Sequence, residues 1–362
     1  MTLHEARWSE PVPGKPGVVR CTLCPRGCKL AEGKSGFCVV RSNRGGRLVL
    51  DTWGRTTGFA VDPIEKKPLA HYLPGSSVLS FGTAGCNLGC RFCQNWSISK
   101  ARLDLVASEA DWTPSRVVDL AIRSATPGIA FTYNDPIIWA EYAIDVAVEA
   151  HARGLFTVFV TNGYVTPEPR AEIFRHMDAT NVDLKAFTEE FYGRQTLSHI
   201  APVLDTLAWL AREGRTWVEV TNLVIPGLND GADETRDLAR WMVENMGADV
   251  PLHLTAFHPD YMMMDRPRTP GSTLTRARAI AREAGLHHVY TGNVNDREGQ
   301  ATYCPGCGAR VVERDWHAVR TTRLKAGACA ACGTRIAGRF AEGEGPISSP
   351  GLRIPLGVPK VS

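Results

Sequence analysis

No stretch of the chain is apolar for the roughly 18 residues that a membrane-spanning helix needs, which argues against a transmembrane protein. Met1 to Arg20 also lacks the apolar core of a secretion signal; it carries Pro11, Pro13 and Pro16 among glycines and reads as an extended arm. A dominant charge is missing too. With 41 Lys and Arg against 38 Asp and Glu, the net charge of +3 selects no class of partner. Nor is there a spare cysteine, because the 11 fall into three groups, of four, three and four. Without a secretion signal such groups point to metals rather than disulfides, and to the cytoplasm. What remains is an ordinary globular composition, 44% hydrophobic and 22% charged. Its 362 residues suffice for one large domain with small appendages.

The middle group, Cys86, Cys90 and Cys93, lies in SFGTAGCNLGCRFCQNWSIS from Ser80 to Ser99, just after the apolar run Val78–Phe81. Three thiolates cannot complete a four-thiolate zinc site. They can hold three irons of a [4Fe-4S] cube and leave the fourth open to a substrate. This C-x3-C-x2-C spacing resembles that of the radical S-adenosylmethionine (SAM) superfamily. The resemblance implies that the amino and carboxylate groups of SAM chelate the open iron. An electron from the cluster then splits SAM into methionine and a 5'-deoxyadenosyl radical. Phe92 matches the superfamily's aromatic before the third cysteine, a ring that packs beside the adenine.

The first group, Cys21, Cys24, Cys28 and Cys38, has the spacing C-x2-C-x3-C-x9-C on a short Gly-containing segment. Four thiolates there suit either zinc or a second [4Fe-4S] cluster. Arg47–Asp51 reads as a short strand closing this module. The last group is CPGCG at Cys304–Gly308 and CAACG at Cys329–Gly333, two C-x2-C knuckles 21 residues apart. With a glycine turning the chain after each pair, Cys304, Cys307, Cys329 and Cys332 are expected to hold the zinc of a ribbon. Between Cys304 and Phe340 seven Lys and Arg face Glu313 and Asp315, a net of +5. A basic ribbon suits a nucleic acid, but solvated basic surfaces are commoner, and the nucleic-acid reading is the less favoured one.

Between these modules short β-branched runs alternate with amphipathic stretches. Strands are expected at Val78–Phe81, Ile129–Tyr133, Phe156–Thr161, Asn181–Leu184, Trp217–Val224, Leu252–Phe257 and His288–Thr291. Helices are expected at Ser115–Ser124, Ile137–Arg153, Pro202–Arg212, Glu234–Asn245 and Leu274–Ala284. Right-handed crossovers would make this an α/β fold, a partial (β/α)6 TIM-like barrel of the radical SAM type. The boundaries read as 1–52 for the N-terminal four-cysteine metal module, 53–76 for a linker, 77–300 for the barrel, 301–340 for the zinc ribbon and 341–362 for an irregular tail.

Chemistry in such barrels sits at the C-terminal ends of the strands. Asn134 and Asp135 follow the second strand, Thr161 and Asn162 the third, and Asp183 and Lys185 close the fourth. Asn222 lies on the fifth, His253 on the sixth and Asn293 just past the seventh, so all of these are expected to face SAM. A carboxylate at Asp135 suits the SAM ammonium, and the Asn-Asp-Pro sequence also suits a helix N-cap. His253, His258 and Tyr261 are candidates for the substrate pocket.

Over nearly its whole length the sequence resembles the AmmeMemoRadiSam system radical SAM enzymes, which are similar to pyruvate formate-lyase activating enzymes. CTLCPRGC, GFCVVR, KKPLAHYLPGSS, VTNLVIPGLND, PLHLTAFHPDY and VYTGNV carry the likeness. Departures are Asp135, where relatives read Glu, and Val160, where relatives commonly place an acid. The resemblance implies an enzyme that abstracts hydrogen from an organic substrate, ending in epimerisation, rearrangement or carbon–carbon bond formation. It also implies a reductant such as flavodoxin or ferredoxin. The alternatives are an activase acting on a glycine of a partner protein and a nucleic-acid-modifying protein.

Overall fold

In the computed structural model, which describes residues 3–100 and 111–341 and the backbone of Leu352–Ile354, each expected β-branched run becomes a strand. The strands of the large sheet are β1 (Phe59–Pro63), β2 (Ser77–Phe81), β3 (Gly128–Phe131), β4 (Phe156–Thr161), β5 (Ala179–Asp183), β6 (Trp217–Val224), β7 (Leu252–Ala256) and β8 (Val289–Gly292). From β2 to β8 every strand pairs in parallel with the next in sequence. Helices join them, at Pro114–Arg123, Ala140–Ala152, Pro167–Phe174, Ala201–Glu213, Ala232–Met246 and Gly271–Glu283. Parallel strands covered on both faces need continuous apolar sequence, and β2, β3 and β7 are buried at every residue.

Local chemistry sets the helix ends. Thr113 caps the first of these helices, accepting from the Arg116 amide, and Pro114 follows at its first position. The helix then buries Val117, Val118 and Ala121. Ala201–Glu213 stops at Gly214, whose φ of 63° suits the left-handed turn that ends helices.

Two expectations need correction. Residues 53–76 are no linker: β1 lies within them and pairs antiparallel with β2. Pro63 ends this strand near the sheet's edge, where a missing amide proton does no harm. The 341–362 tail is not wholly irregular, since Leu352–Ile354 pairs antiparallel with β1. The large sheet is therefore mixed, with nine strands among the described residues. Among the described residues no helix is long and apolar enough to cross a membrane.

The two outer modules attach differently. In the N-terminal one, Arg41–Arg44 and Arg47–Leu50 form a hairpin across Gly45 and Gly46. Its Leu23, Leu30, Val40, Leu48 and Leu50 belong to the same core as Leu79, Phe131, Trp139 and Leu184 of the main domain. Arg41 and Glu141 lock the junction, with paired bonds of 2.7 and 2.8 Å and nearly complete burial. The C-terminal module instead has its own small core of Val311, Val312, Val319, Leu324 and Ile336.

Candidate functional site

The loop after β2 is shaped by close packing. At Gly85, with φ of 85°, a Cβ would run into the Cys38 carbonyl oxygen, so only glycine fits. Asn134 holds the loop from the other side: its Oδ1 accepts from the Thr83 amide at 3.0 Å, and its Nδ2 donates to the carbonyls of Ala84 and Gly85 at 3.0 and 2.9 Å. Cys86, Cys90 and Cys93 are half-buried on this loop. Burial pushes the Cys86 thiol up to about 11 and the Cys90 thiol up to about 12. Thiolates there need a strongly positive partner, which a metal centre supplies. Three cysteine thiols on one loop fit the superfamily's [4Fe-4S] cluster.

The three thiols open on a cavity of about 610 Å³. Phe92, Asn134, Asp135, Thr161, Asn162, Asp183, Lys185, His253 and Asn293, all expected from sequence, line it. Phe92 is buried and packs against Phe191, ring centres 5.8 Å apart. The Asp135 carboxylate accepts from the Ile137 amide at 3.0 Å, from the Asn162 amide at 2.7 Å and from the Thr161 hydroxyl at 3.0 Å. It caps the short helix Pro136–Trp139 while also facing the cavity. Burial pushes its pKa up to about 6, against the pull of those three donors. Burial opposes charge on Lys185, yet Asp183, whose Oδ2 lies 2.6 Å from Nζ, and Cys90 hold its pKa above the ordinary lysine value. His253 stacks on Tyr290, and its Nε2 donates to Glu219 at 2.7 Å.

Three expected residues fall outside the cavity. On β6, Thr221 and Leu223 face it, so alternation turns Asn222 away; its amide donates to the Leu184 carbonyl at 2.8 Å. His258 is exposed, beyond the turn that buries Phe257. Tyr261 stacks on Trp96, ring centres 5.6 Å apart, on a loop tied by the Met262 amide to the Arg91 carbonyl.

Other cavity residues were not anticipated. Lys67 is 2% exposed, lies 2.7 Å from Asp62, and has its pKa lowered to about 8 by burial against the pull of Asp62. Arg314, Trp316 and His317 reach the cavity from the C-terminal module. Arg314 is buried and donates to the Ala70 carbonyl at 2.7 Å and the Thr302 hydroxyl at 2.9 Å. In sequence these charges read as linker and surface; only the fold buries them. The module's other basic groups are partly committed, Arg320 to Asp315 and Arg323 to Glu313.

Cys304, Cys307, Cys329 and Cys332 bring their sulfurs within 4.8 Å of one another, a set able to hold a metal ion. The first four cysteines line a separate small cavity.

A three-thiol loop at the strand ends of an α/β sheet defines a class, and residues 81–241 match the model of the Radical SAM superfamily. The chain is an enzyme with a radical SAM domain. It belongs to the same family as uncharacterized protein MJ0808 of Methanocaldococcus jannaschii, with 41% identity over 88% of this chain and 95% of that one. It is also similar to 4-hydroxyphenylacetate decarboxylase activating enzyme of Clostridioides difficile, 27% identical over 36% of this chain and 41% of the relative. Among solved structures, a domain of pyruvate-formate lyase-activating enzyme from Bacteroides vulgatus aligns with 46% of this chain and 99% of its own length, at 16% identity and a TM-score of 0.41.

Proposed function

We propose that this enzyme is an AmmeMemoRadiSam-type radical SAM enzyme, with the large sheet curved into an open barrel around the cavity. A cluster at Cys86, Cys90 and Cys93, once bound, supplies the electron that cleaves SAM to a 5'-deoxyadenosyl radical able to abstract hydrogen from an organic substrate. The carrying observation is convergence: the three thiols and residues from the ends of β3, β4, β5, β7 and β8 line one cavity. Asp135 receives the SAM ammonium, Lys185 sits where a carboxylate would be held, and Phe92 provides the wall for the adenine. Buried Asn134 keeps the loop in shape. Arg314, Trp316 and His317 close part of the cavity, so a free small or medium-sized substrate fits better than a glycine of a folded partner. The likeness to an activating enzyme keeps that second reading open to test. In this reading the last four cysteines hold a structural zinc, which leaves no open position for chemistry.

The test is 5'-deoxyadenosine release from SAM by anaerobically reconstituted protein under strong reductant. Replacing Cys86, Cys90 and Cys93 together by Ala should abolish it; release at the wild-type rate would overturn the reading. Deuterium transfer from labelled small molecules and peptides into 5'-deoxyadenosine then separates the substrate classes.

A further inference from the structure

Cys21, Cys24, Cys28 and Cys38 line one small cavity together with Arg26, Arg41, Asn87 and Ile138. The spacing of the sulfurs distinguishes an ion from a cluster. One zinc ion about 2.3 Å from each of four sulfurs holds them ~3.8 Å apart. The C-terminal group already has that spacing, with 3.6 Å from Cys304 to Cys332 and 3.8 Å from Cys307 to Cys329. Among the described residues it is the one group in which three or more ligating atoms all come within 4.8 Å of one another. In neither the N-terminal group nor Cys86, Cys90 and Cys93 do three sulfurs all come within that distance of one another. A cube spreads its thiolates over separate irons, and a wider set suits it.

The cavity wall adds a donor. Arg41 is 1% exposed and gives both terminal nitrogens to Glu141, Ile138 and Arg7, while its Nε has no hydrogen-bond partner. Sulfurs of a cluster accept such N–H groups.

The two cysteine sets also share a wall. Asn87 follows Cys86, lines the N-terminal cavity and is fully buried. Its carbonyl accepts from Arg26 Nε, its Oδ1 accepts from Asn162 at 2.8 Å, and its Nδ2 donates to the Tyr164 carbonyl at 2.9 Å. On the other side of Cys86, Gly85 lies against the Cys38 carbonyl. The residues on both sides of Cys86 thus border the N-terminal module.

We propose that Cys21, Cys24, Cys28 and Cys38 hold a second iron–sulfur cluster that relays single electrons to the cluster at Cys86, Cys90 and Cys93. The acceptor rests on the function proposed above. A low-potential one-electron donor of the flavodoxin or ferredoxin class is oxidised as the N-terminal cluster is reduced. The same electron then passes inward, oxidising that cluster and reducing the second. No bond is made or broken and no proton moves. Cys24 and Cys28, the half-buried pair, mark the side open to the donor, whereas Cys21 and Cys38 are buried.

Metal analysis of the full-length wild-type protein, reconstituted anaerobically, needs no variant. About eight irons and one zinc per chain are expected, against about four irons and two zincs if the N-terminal site is a zinc knuckle. The second result overturns the proposal. Replacing Cys86, Cys90 and Cys93 by Ala should leave about four irons; if it leaves none, the N-terminal cluster is absent. If it leaves the wild-type iron content, the function proposed above fails instead. In dithionite-reduced wild type, electron paramagnetic resonance should show two magnetically coupled centres. Replacing Cys24 and Cys28 by Ala should slow reduction of the remaining cluster by reduced flavodoxin about tenfold or more, and leave its reduction by titanium(III) citrate unchanged. Two uncoupled centres, or an unchanged flavodoxin rate, would refute the relay.

Discussion

The protein's two four-cysteine regions use the same ligands in opposite ways. At the C-terminus the four sulfurs are drawn together, Cys307 and Cys332 are exposed, and the module keeps a core of its own. At the N-terminus Cys21 and Cys38 are buried within the core of the main domain, and no three of the sulfurs come within 4.8 Å of one another. A metal in the first region would organise a small appendage, as structural zinc does in domains too small to fold on hydrophobic burial alone. A metal in the second region would lie against the loop that carries Cys86, Cys90 and Cys93. Core continuity, more than cysteine count, decides what each metal's loss will do.

The largest effect should come from removing thiols in each region in turn. Structural zinc contributes on the order of 10 kcal/mol or more to the folding of small zinc modules. Replacing Cys304 and Cys329 by Ser should therefore abolish zinc binding and expose residues 304–332 to protease. The main calorimetric transition should fall only modestly, through lost contacts such as that of Arg314 with Ala70. Replacing Cys21 and Cys38 by Ser should lower the main transition itself. Equal losses in the main transition would erase the contrast between the regions.

Arg41→Met is the next test, because it cuts the junction between the N-terminal module and the main domain. Breaking a buried pair strands the other charge, at a cost of about 3–5 kcal/mol. The Glu141 carboxylate would be left 5% exposed without its partner. Adding Glu141→Leu should restore much of the loss, since no stranded charge remains. Chemical denaturation of the three proteins measures this, and a loss below about 1 kcal/mol for Arg41→Met would mean that the junction is weak.

Sequence reasoning reached the fold through the β-branched runs, because parallel strands buried on both faces carry an apolar signal of their own. β1 was hidden by its proline and by Lys66 and Lys67, which look like linker chemistry until Asp62 pairs with both. The strand-end rule located Asp135, Thr161, Asp183 and Lys185 at the cavity. It failed at Asn222, where one step along a strand reverses the face. It failed again at His258 and Tyr261, where the chain has already turned away. Glu219 shows what pattern alone misses: it is fully buried and joins the amides of Ala70 and His71 to His253. Those partners lie 149, 148 and 34 residues away in sequence.

The smallest expected effect tests how far the N-terminal region reaches into the cavity proposed to bind SAM, through Asn87, Asn162 and Asp135. Burial raises the Asp135 pKa from 3.8 to about 6. A folded-state pKa above the unfolded one means that the native chain binds the proton more tightly. This group's contribution to stability is then fullest at low pH and is lost as pH rises through about 6. SAM binding should run the other way, because the ammonium requires the carboxylate to be ionised. Lowering pH from about 7.5 to 5.5 should weaken SAM affinity by about fourfold, the loss set by protonating a group of pKa near 6. In Asp135→Asn both dependences should flatten, while the amide oxygen still accepts from Ile137 and keeps the helix start. Asp135→Glu, the residue type of the relatives, should retain the pH dependence of SAM binding. Calorimetric titration of SAM into the three proteins across this range reads the effect. A SAM affinity in Asp135→Asn equal to that of wild type at pH 7.5 would reduce Asp135 to a helix cap and end the N-terminal region's reach at Asn162.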